Sequence, residues 1–228
     1  MKLCISLSYE KIYEETLETL CKNKVQSIQL SFYKTKDVYG IDFKHYKEML
    51  DKAGVKAEVI HMPKLEASNN LSLVKRLKDL YNAGAFVFHC HPKKSFDEEL
   101  YRLRKKKHEL SSLDAKLCYE VPDKSLESYV DKIRKLRLDL YLAYDTSHST
   151  ADMLKTVDKY FNKIGVIHLS NRDSRHKHLP VHRGNLPLSM LIRTLVEKSY
   201  KGIVVLEYLP DFFDKLIEDY KIYKIILG

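Results

Sequence analysis

The chain has 228 residues and a formal net charge of +9. A chain of this length can bury a large core without disulfides, and its four cysteines show no CxxC spacing, which excludes a zinc finger and is typical of reduced core residues. No apolar run reaches the roughly 18 residues of a membrane span, and we find no signal peptide. We therefore predict a cytoplasmic protein without a membrane partner, whose charge reflects either a lysine-rich solvated surface or a phosphate-bearing partner.

Eight short β-rich runs alternate with helical stretches along the chain. The strands are predicted at 2–8, 25–32, 55–62, 85–91, 116–122, 140–148, 164–170 and 202–209. Gly54 and Gly84 are expected to cap the helices before the third and fourth strands. Eight β-then-α units predict an α/β fold, a single-domain (β/α)8 TIM barrel over residues 1–228. The structural alternative, a doubly wound open sheet, usually has a glycine-rich first turn, whereas the first turn here reads SYEK.

Polar side chains recur where the predicted strands end. They are His61, His89, His91, Glu120, Asp145, His148, His168 and Glu207. In a barrel the carboxyl ends of the strands form the rim where active sites are built. A histidine in a helix, such as His45 or His108, is interpreted as structural, and His89 is interpreted either as a residue that orients a ligand or as a buried structural one.

Four of these side chains predict a metal site. Charged residues are rarely buried unless they are paired or bind metal, yet Glu120 and Glu207 lie inside the apolar runs LCYEVP and VVLEYL. Together with Asp145 and His168 they form a carboxylate and imidazole set on four successive strands. Such a set suits Zn, Mn, Fe or Co better than an all-oxygen Mg or Ca site.

This pattern resembles the xylose isomerase-like TIM barrel superfamily, which includes sugar phosphate isomerases and epimerases and endonuclease IV. In the sugar-converting branch, the resemblance implies one divalent ion on Glu120, Asp145, His168 and Glu207. It also implies that Glu120 and Glu207 transfer the substrate proton, and His148 would hold a substrate hydroxyl. These three are the catalytic candidates.

The resemblance to endonuclease IV implies a larger ligand set, for three zinc ions. Its members here would be His61, His91 of the His-Pro pair, Glu120, Asp145 and His148 of DTSH, His168, His178 and Glu207. A ninth ligand, normally aspartate, would be His176. The sequence departs from that branch in the loop MPKLEASNN, which lacks the segment that contacts DNA, and in His182, which replaces a glycine.

Three functions follow as hypotheses. The first is a sugar or sugar-phosphate isomerase or epimerase with one divalent ion, in which Arg172, Arg175, Lys177 and His182 bind substrate or phosphate. Across the hypotheses the cofactor is zinc or manganese, with one to three ions. The alternative is a zinc phosphodiesterase that cuts DNA at abasic sites, with the basic loop 171–183 along the DNA backbone. The third is a metal-binding or scaffold barrel without activity. The basic loop also has a plain interpretation, as a solvated surface.

Overall fold

The protein is a closed barrel of parallel strands. The computed structural model describes residues 1–89, 96–149 and 152–227, without the side chain of Asp37. Within these ranges eight strands pair in chain order, and β8 closes the barrel onto β1. Their bounds are β1 Lys2–Ser8, β2 Ser27–Ser31, β3 Lys56–His61, β4 Ala85–His89, β5 Lys116–Glu120, β6 Leu140–Asp145, β7 Ile164–Leu169 and β8 Ile203–Leu206. The predicted (β/α)8 TIM barrel is confirmed, and the open sheet is excluded.

Helices follow the strands and surround the barrel. In the described ranges they are α1 Glu14–Lys22, α2 Thr35–Gly40, α3 Phe43–Lys52, α4 Leu71–Tyr81, α5 Phe96–Lys105, α6 Lys107–Ser111, α7 Asp123–Lys135, α8 Met153–Tyr160, α9 Leu188–Glu197 and α10 Phe213–Leu227. None of them is long and apolar enough to cross a membrane.

Several strands end earlier than the sequence predicts. The predicted strand 140–148 ends at Asp145, because the Asp145 carboxylate accepts a hydrogen bond from the backbone N–H of Ser147 and the chain turns into a 3-10 helix. The predicted strand 202–209 ends at Leu206, and the last two residues of the predicted strand 85–91 lie outside the described residues. The polar side chains therefore lie at, or just beyond, the strand ends.

One of the two predicted helix caps is wrong. Gly54 has a left-handed φ of 65° after α3, as expected. At the end of α4 the left-handed residue is Asn82 rather than Gly84, with φ 49° and its N–H bonded to the Lys78 carbonyl. Gly84 serves a packing purpose instead, because a Cβ there would lie 2.7 Å from Oε1 of Glu58.

Apolar side chains form two separate layers. The larger one packs the outside of the strands against the helices. The smaller one fills the barrel interior with small side chains from β1 and from β3 to β8: Cys4, Val59, Ala85, Val87, Cys118, Ala143, Val166, Ile203 and Val205. It supports the polar residues at the carboxyl end of the barrel from below.

Two of the cysteines match the expected core positions. Cys4 and Cys118 are buried and free, whereas Cys21 is exposed, with its Sγ 3.0 Å from the Ala53 carbonyl. The prediction of a core position is therefore wrong for Cys21, which lies on the outer side of α1. Cys90 lies outside the described residues.

Candidate functional site

The candidate site is built by strand alternation at the carboxyl ends of the strands. Side chains two positions apart point to the same face of a strand, so the residue two positions after an inward apolar side chain also points inward. In five strands that next residue is polar: His61 follows Val59, His89 follows Val87, Glu120 follows Cys118, Asp145 follows Ala143 and His168 follows Val166. Glu207, just beyond the end of β8, follows Val205 in the same way.

The pairing register brings these polar residues to one level. His89 pairs with Glu120 across β4 and β5, and Asp145 pairs with His168 across β6 and β7. Because all strands run parallel, their carboxyl ends meet at one rim of the barrel. The side chains therefore converge at the barrel mouth.

The four predicted ligands of a single ion come together around His168. Donor atoms of Glu120, Asp145 and His168 all lie within 4.8 Å of one another, and so do those of His61, His168 and Glu207. His168 belongs to both sets and is fully buried. The separations allow several of these side chains to bind one cation after small adjustments.

His168 presents a free lone pair to this cluster. Its Nε2 lies 2.9 Å from Oε1 of Gln29, an oxygen that accepts, so Nε2 carries the proton. The other ring nitrogen, Nδ1, is buried without a hydrogen-bond partner and lies 3.2 Å from Oε2 of Glu207. Nδ1 of His61 is also buried without a partner. Buried polar atoms normally have partners, and a cation would give the His168 nitrogen one.

The Asp145 carboxylate is held by one oxygen and presents the other. Its Oδ1 accepts hydrogen bonds from the backbone N–H and the hydroxyl of Ser147, at 2.8 and 2.9 Å. Its Oδ2 lies 3.7 Å from Nε2 of His148 and 3.9 Å from Nε2 of His178. Asp145 thus has a fixed orientation with a free oxygen toward the cluster.

The three carboxyl groups of the cluster differ in the direction of their pKa shifts. Burial raises the pKa of Asp145, and the negative charges of Glu207 and Glu120 raise it further. Burial also opposes ionisation of Glu120, but the hydrogen bond to His61 and the electrostatic interactions with the neighbouring histidines outweigh it and lower the pKa. Electrostatic interactions with His168, His61 and His178 likewise outweigh burial and lower the pKa of Glu207. Both glutamates are therefore ionised at neutral pH, and a cation would relieve the repulsion on Asp145.

Two further donor sets flank the central one. On one side are His61, His89 and Glu120, with Nδ1 of His89 3.4 Å from Oε2 of Glu120. Burial and the charge of His61 lower the pKa of His89 to about 4, so its ring is neutral. His91, which the resemblance to endonuclease IV predicted as a ligand, lies outside the described residues, and the histidine that lies beside Glu120 is His89.

The second flanking set contains Asp145, His148 and His178. Nζ of Lys177 lies 3.2 Å from Nδ1 of His148, and a lysine only donates, so Nδ1 accepts and Nε2 carries the proton. That proton points towards the site as a hydrogen-bond donor. His148 in this state is suited to hold a substrate oxygen, as predicted for the isomerase hypothesis.

The loop after β7 turns one of its histidines inward and the others outward. Asn171 and Leu179 pair as an antiparallel bridge, and His178 has a left-handed φ of 55°. This uncommon conformation directs its ring to Asp145 and Glu207. At the end of this loop, Gly184 packs closely against the start of the loop: a Cβ at this position would lie 2.4 Å from the Arg172 carbonyl oxygen.

Two predicted histidines are not brought to the cluster. The ring of His176 is exposed and contacts Asp173 at 3.3 Å, because Asp173 also accepts the backbone N–H groups of Arg175 and His176 and turns this segment outward. His182 is half exposed and lies 3.7 Å from Oδ2 of Asp219. Neither belongs to a donor set among the described residues.

A cavity of about 920 Å³ opens above the carboxylates. Glu120, Asp145 and Glu207 line its floor, and Tyr33 lies at its rim. Its lysines are Lys64, Lys124 and Lys132, while Arg172, Arg175, Lys177 and His182 are not among its lining residues. The sequence predicted phosphate contacts from the loop after β7, whereas the basic lining of the cavity comes from the loop after β3 and from α7.

Some site residues were missed by sequence reasoning. Gln29, Tyr33 and the three cavity lysines were not singled out, because single polar residues and lysines are common throughout this chain. A signal existed for Lys124 and Lys132: they are eight residues apart on the helix that follows the Glu120 strand, so they share one helix face.

Comparisons with solved structures support the fold. A family 2 AP endonuclease from Brucella melitensis superposes with a TM-score of 0.74 at 13% identity, covering 91% of this chain and 92% of that one. A xylose isomerase-like TIM barrel protein from Mycobacterium smegmatis in complex with magnesium gives 0.72 at 15%, covering 93% and 87%. A sugar phosphate isomerase/epimerase from Parabacteroides distasonis gives 0.67 at 14%, covering 100% and 94%. Neither protein-family models nor curated proteins match the sequence.

Proposed function

We propose that the chain is a divalent-metal-dependent isomerase or epimerase that acts on a sugar or sugar phosphate by proton transfer. It shares the fold of xylose isomerase-like TIM barrels, as the sequence resemblance predicted. One observation carries the proposal: two ionised glutamates, Glu120 and Glu207, line the cavity floor on either side of the buried ligand His168.

The metal would be held by the central set. Glu120, Asp145, His168 and Glu207 offer carboxylate oxygens and one free imidazole nitrogen, a mixture suited to zinc or manganese. A solved neighbour of the same fold holds magnesium. When bound, the ion would polarise the carbonyl of a sugar and make the neighbouring C–H more acidic.

The two glutamates would move the proton. One, as carboxylate, would take the proton from the carbon next to the carbonyl. The electron pair of that C–H bond would form a C=C bond, and a pair from the C=O bond would move onto its oxygen. To give an epimer, the other glutamate, having taken up a proton before this step, would return it to the opposite face of that carbon. To give an isomer, a proton would go to the former carbonyl carbon while the proton of the neighbouring hydroxyl passes to the former carbonyl oxygen. The hydrogen bonds from Ser6 and Gln29 to Oε1 of Glu207, both at 3.4 Å, hold this carboxylate in place.

Other cavity residues would bind the remainder of the substrate. The N–H of His148 is available for a hydroxyl. Lys64, Lys124 and Lys132 line the cavity, the ammonium group of Lys132 in contact with Asp97, and they would attract a phosphate attached to the sugar. The substrate would then have its carbonyl at the carboxylates and its anionic end near the lysines.

Deuterium exchange tests the proposal. Protein loaded with zinc or manganese is incubated in D2O with a panel of ketoses and ketose phosphates, and deuterium at the α-carbon is measured by mass spectrometry. We expect exchange by the wild type and a loss of at least roughly 100-fold in Glu120→Gln and in Glu207→Gln, the range of general acid–base catalysis. Glu127→Gln, on the exposed face of α7, is the matched control. No exchange with any sugar would contradict the proposal.

A second candidate function is the phosphodiesterase. The observation in its favour is that donor sets flank the central one on both sides, enough for more than one ion. Against it, His176 faces solvent beside Asp173, and His148 presents a proton rather than a lone pair. Metal-dependent nicking of a duplex with one abasic site, abolished in His61→Ala and His91→Ala, would establish the phosphodiesterase; we expect an isomerase to tolerate both substitutions. Failure of both assays would favour the inactive metal-binding barrel.

A further inference from the structure

A fully buried glutamine lies beneath the candidate metal centre. Gln29 is on β2, whose register places it beside Ser6 of β1, and it has no exposure to solvent. Amides are seldom buried unless every polar atom has a partner. Both ends of this amide contact the candidate site.

The contacts of Gln29 form a closed ring with two predicted ligands. Its Oε1 accepts from Nε2 of His168 at 2.9 Å. The other nitrogen of His168, Nδ1, lies 3.2 Å from Oε2 of Glu207. Oε1 of Glu207 in turn accepts from Nε2 of Gln29 at 3.4 Å. Each of the three side chains thus constrains the other two.

The amide orientation follows from its neighbours. Nε2 of Gln29 also lies 3.1 Å from the Ser6 hydroxyl and 3.4 Å from the Ser31 hydroxyl, both of which can accept. Oε1 of Glu207 lies 3.4 Å from the amide and is a carboxylate oxygen, which accepts, so the nitrogen of the amide faces it. The oxygen is then left to His168, which determines which ring nitrogen is protonated.

We propose that Gln29 is a positioning residue that holds His168 in the Nε2–H tautomer and orients Glu207, so that Nδ1 and a carboxylate oxygen are ready for the same cation. This inference rests on the proposed metal site. A hydrogen-bond partner on the far nitrogen of a histidine ligand fixes both its tautomer and its ring orientation.

Glutamine meets a requirement here that a carboxylate does not. A glutamate at position 29 would accept from His168 but would offer no donor to Glu207. It would also add a fourth negative charge to Glu120, Asp145 and Glu207. Leucine would fill a similar volume while removing both contacts. The two substitutions therefore separate the tautomer effect from the orientation of Glu207.

The first measurement uses the metal-free protein. Long-range ¹⁵N–¹H NMR of the imidazole rings, with His168 assigned from His168→Gln, reports which nitrogen carries the proton. We expect the Nε2–H tautomer in the wild type and in Gln29→Glu, and a mixture of tautomers in Gln29→Leu. An unchanged, pure Nε2–H tautomer in Gln29→Leu would overturn the proposal.

The second measurement is zinc affinity by competition with a chromophoric chelator. Loss of a ligand's hydrogen-bond partner typically weakens metal binding by roughly 10–100-fold, which we expect for Gln29→Leu. The control is Gln26→Leu, an exposed glutamine just before β2, which should stay within about two-fold of the wild type. Wild-type affinity in a folded Gln29→Leu protein would contradict the inference. If the wild type itself binds no zinc, the metal site proposed under function fails, while the tautomer measurement still decides on Gln29.

Discussion

The two ends of the barrel treat buried carboxylates in opposite ways. Near the amino ends of the strands, Glu58 is buried, and its carboxylate contacts the ammonium groups of Lys2 and Lys56, the latter at 3.1 Å. Burial opposes ionisation of Glu58, but its hydrogen bonds and ion pairs with these lysines outweigh burial and lower the pKa. This acid is neutralised by the protein's own cations.

At the carboxyl ends, three carboxylates face imidazoles and one another. Glu120 and Glu207 are paired with histidines, while the pKa of Asp145 is raised by burial and by the charges of both glutamates. Glu58, which stabilises the fold, is thus paired with lysines, whereas the carboxylates at the mouth of the barrel have negative charge available for a bound cation. The predictions below test this contrast.

The largest expected effect is on metal binding at the mouth. We expect His168→Ala and Asp145→Ala each to weaken zinc binding by more than roughly 100-fold, because each removes a ligand, a larger change than loss of a ligand's partner. Isothermal titration calorimetry measures this. Glu58→Gln, at the other end of the barrel, should leave the zinc affinity unchanged. A loss of zinc affinity in this variant would contradict the difference between the two ends of the barrel.

The same comparison predicts opposite effects on stability in the metal-free protein. Glu58→Gln breaks charge-assisted contacts of a buried group and should destabilise the protein by about 1–3 kcal/mol in urea unfolding. Asp145→Asn keeps the acceptor for Ser147 and removes the repulsion, so stability should stay the same or rise.

The stability conferred by Glu58 should also depend on pH. Because folding lowers its pKa, its contribution is complete above the ordinary glutamate pKa and is lost as the pH falls through the lowered value. The difference in stability between the wild type and Glu58→Gln should therefore shrink in acid. A difference that is constant down to pH 2 would show that the ion pairs are not its source.

A smaller effect distinguishes the cavity lysines from the basic loop. Lys64→Ala, Lys124→Ala and Lys132→Ala should each lower kcat/KM for a phosphorylated substrate by roughly 10-fold, the loss of one hydrogen bond to a charged group. Activity on the unphosphorylated sugar should not change. Arg175→Ala is the matched control from the loop after β7. A larger effect of this substitution than of the lysine substitutions would indicate that the loop after β7 binds the phosphate.

The smallest effects are expected at the outward histidines. His176→Ala and His182→Ala should change zinc affinity by less than about two-fold, since surface substitutions away from a site have small effects. A tenfold loss in His176→Ala, measured by the same calorimetry, would show that this histidine joins a metal site of the endonuclease type.

The sequence predicted both the barrel and the acids at its mouth, because each can be recognised from a short stretch of sequence. Alternation of β-rich and helical stretches specifies the strands, and the acids inside LCYEVP and VVLEYL have few explanations other than a partner. The strand ends were predicted too far along the chain, since the turn after Asp145 depends on a side-chain contact with Ser147.

Other parts of the site depend on contacts that the sequence does not display. Gln29 and Gln26 look alike in VQSIQLSF, yet only the barrel register buries one of them beside His168. Similarly, His176 and His178 are two residues apart in one loop. Their opposite directions follow from the left-handed φ of His178 and from the turn around Asp173.

The most direct test of the cation site is metal stoichiometry by native mass spectrometry. Protein stripped with a chelator and then dialysed against low zinc or manganese should carry one ion per chain, and Asp145→Ala should carry none under the same conditions. A wild-type protein that remains metal-free would contradict the account of the barrel mouth. Three tightly bound ions would contradict the single-ion isomerase and favour the phosphodiesterase.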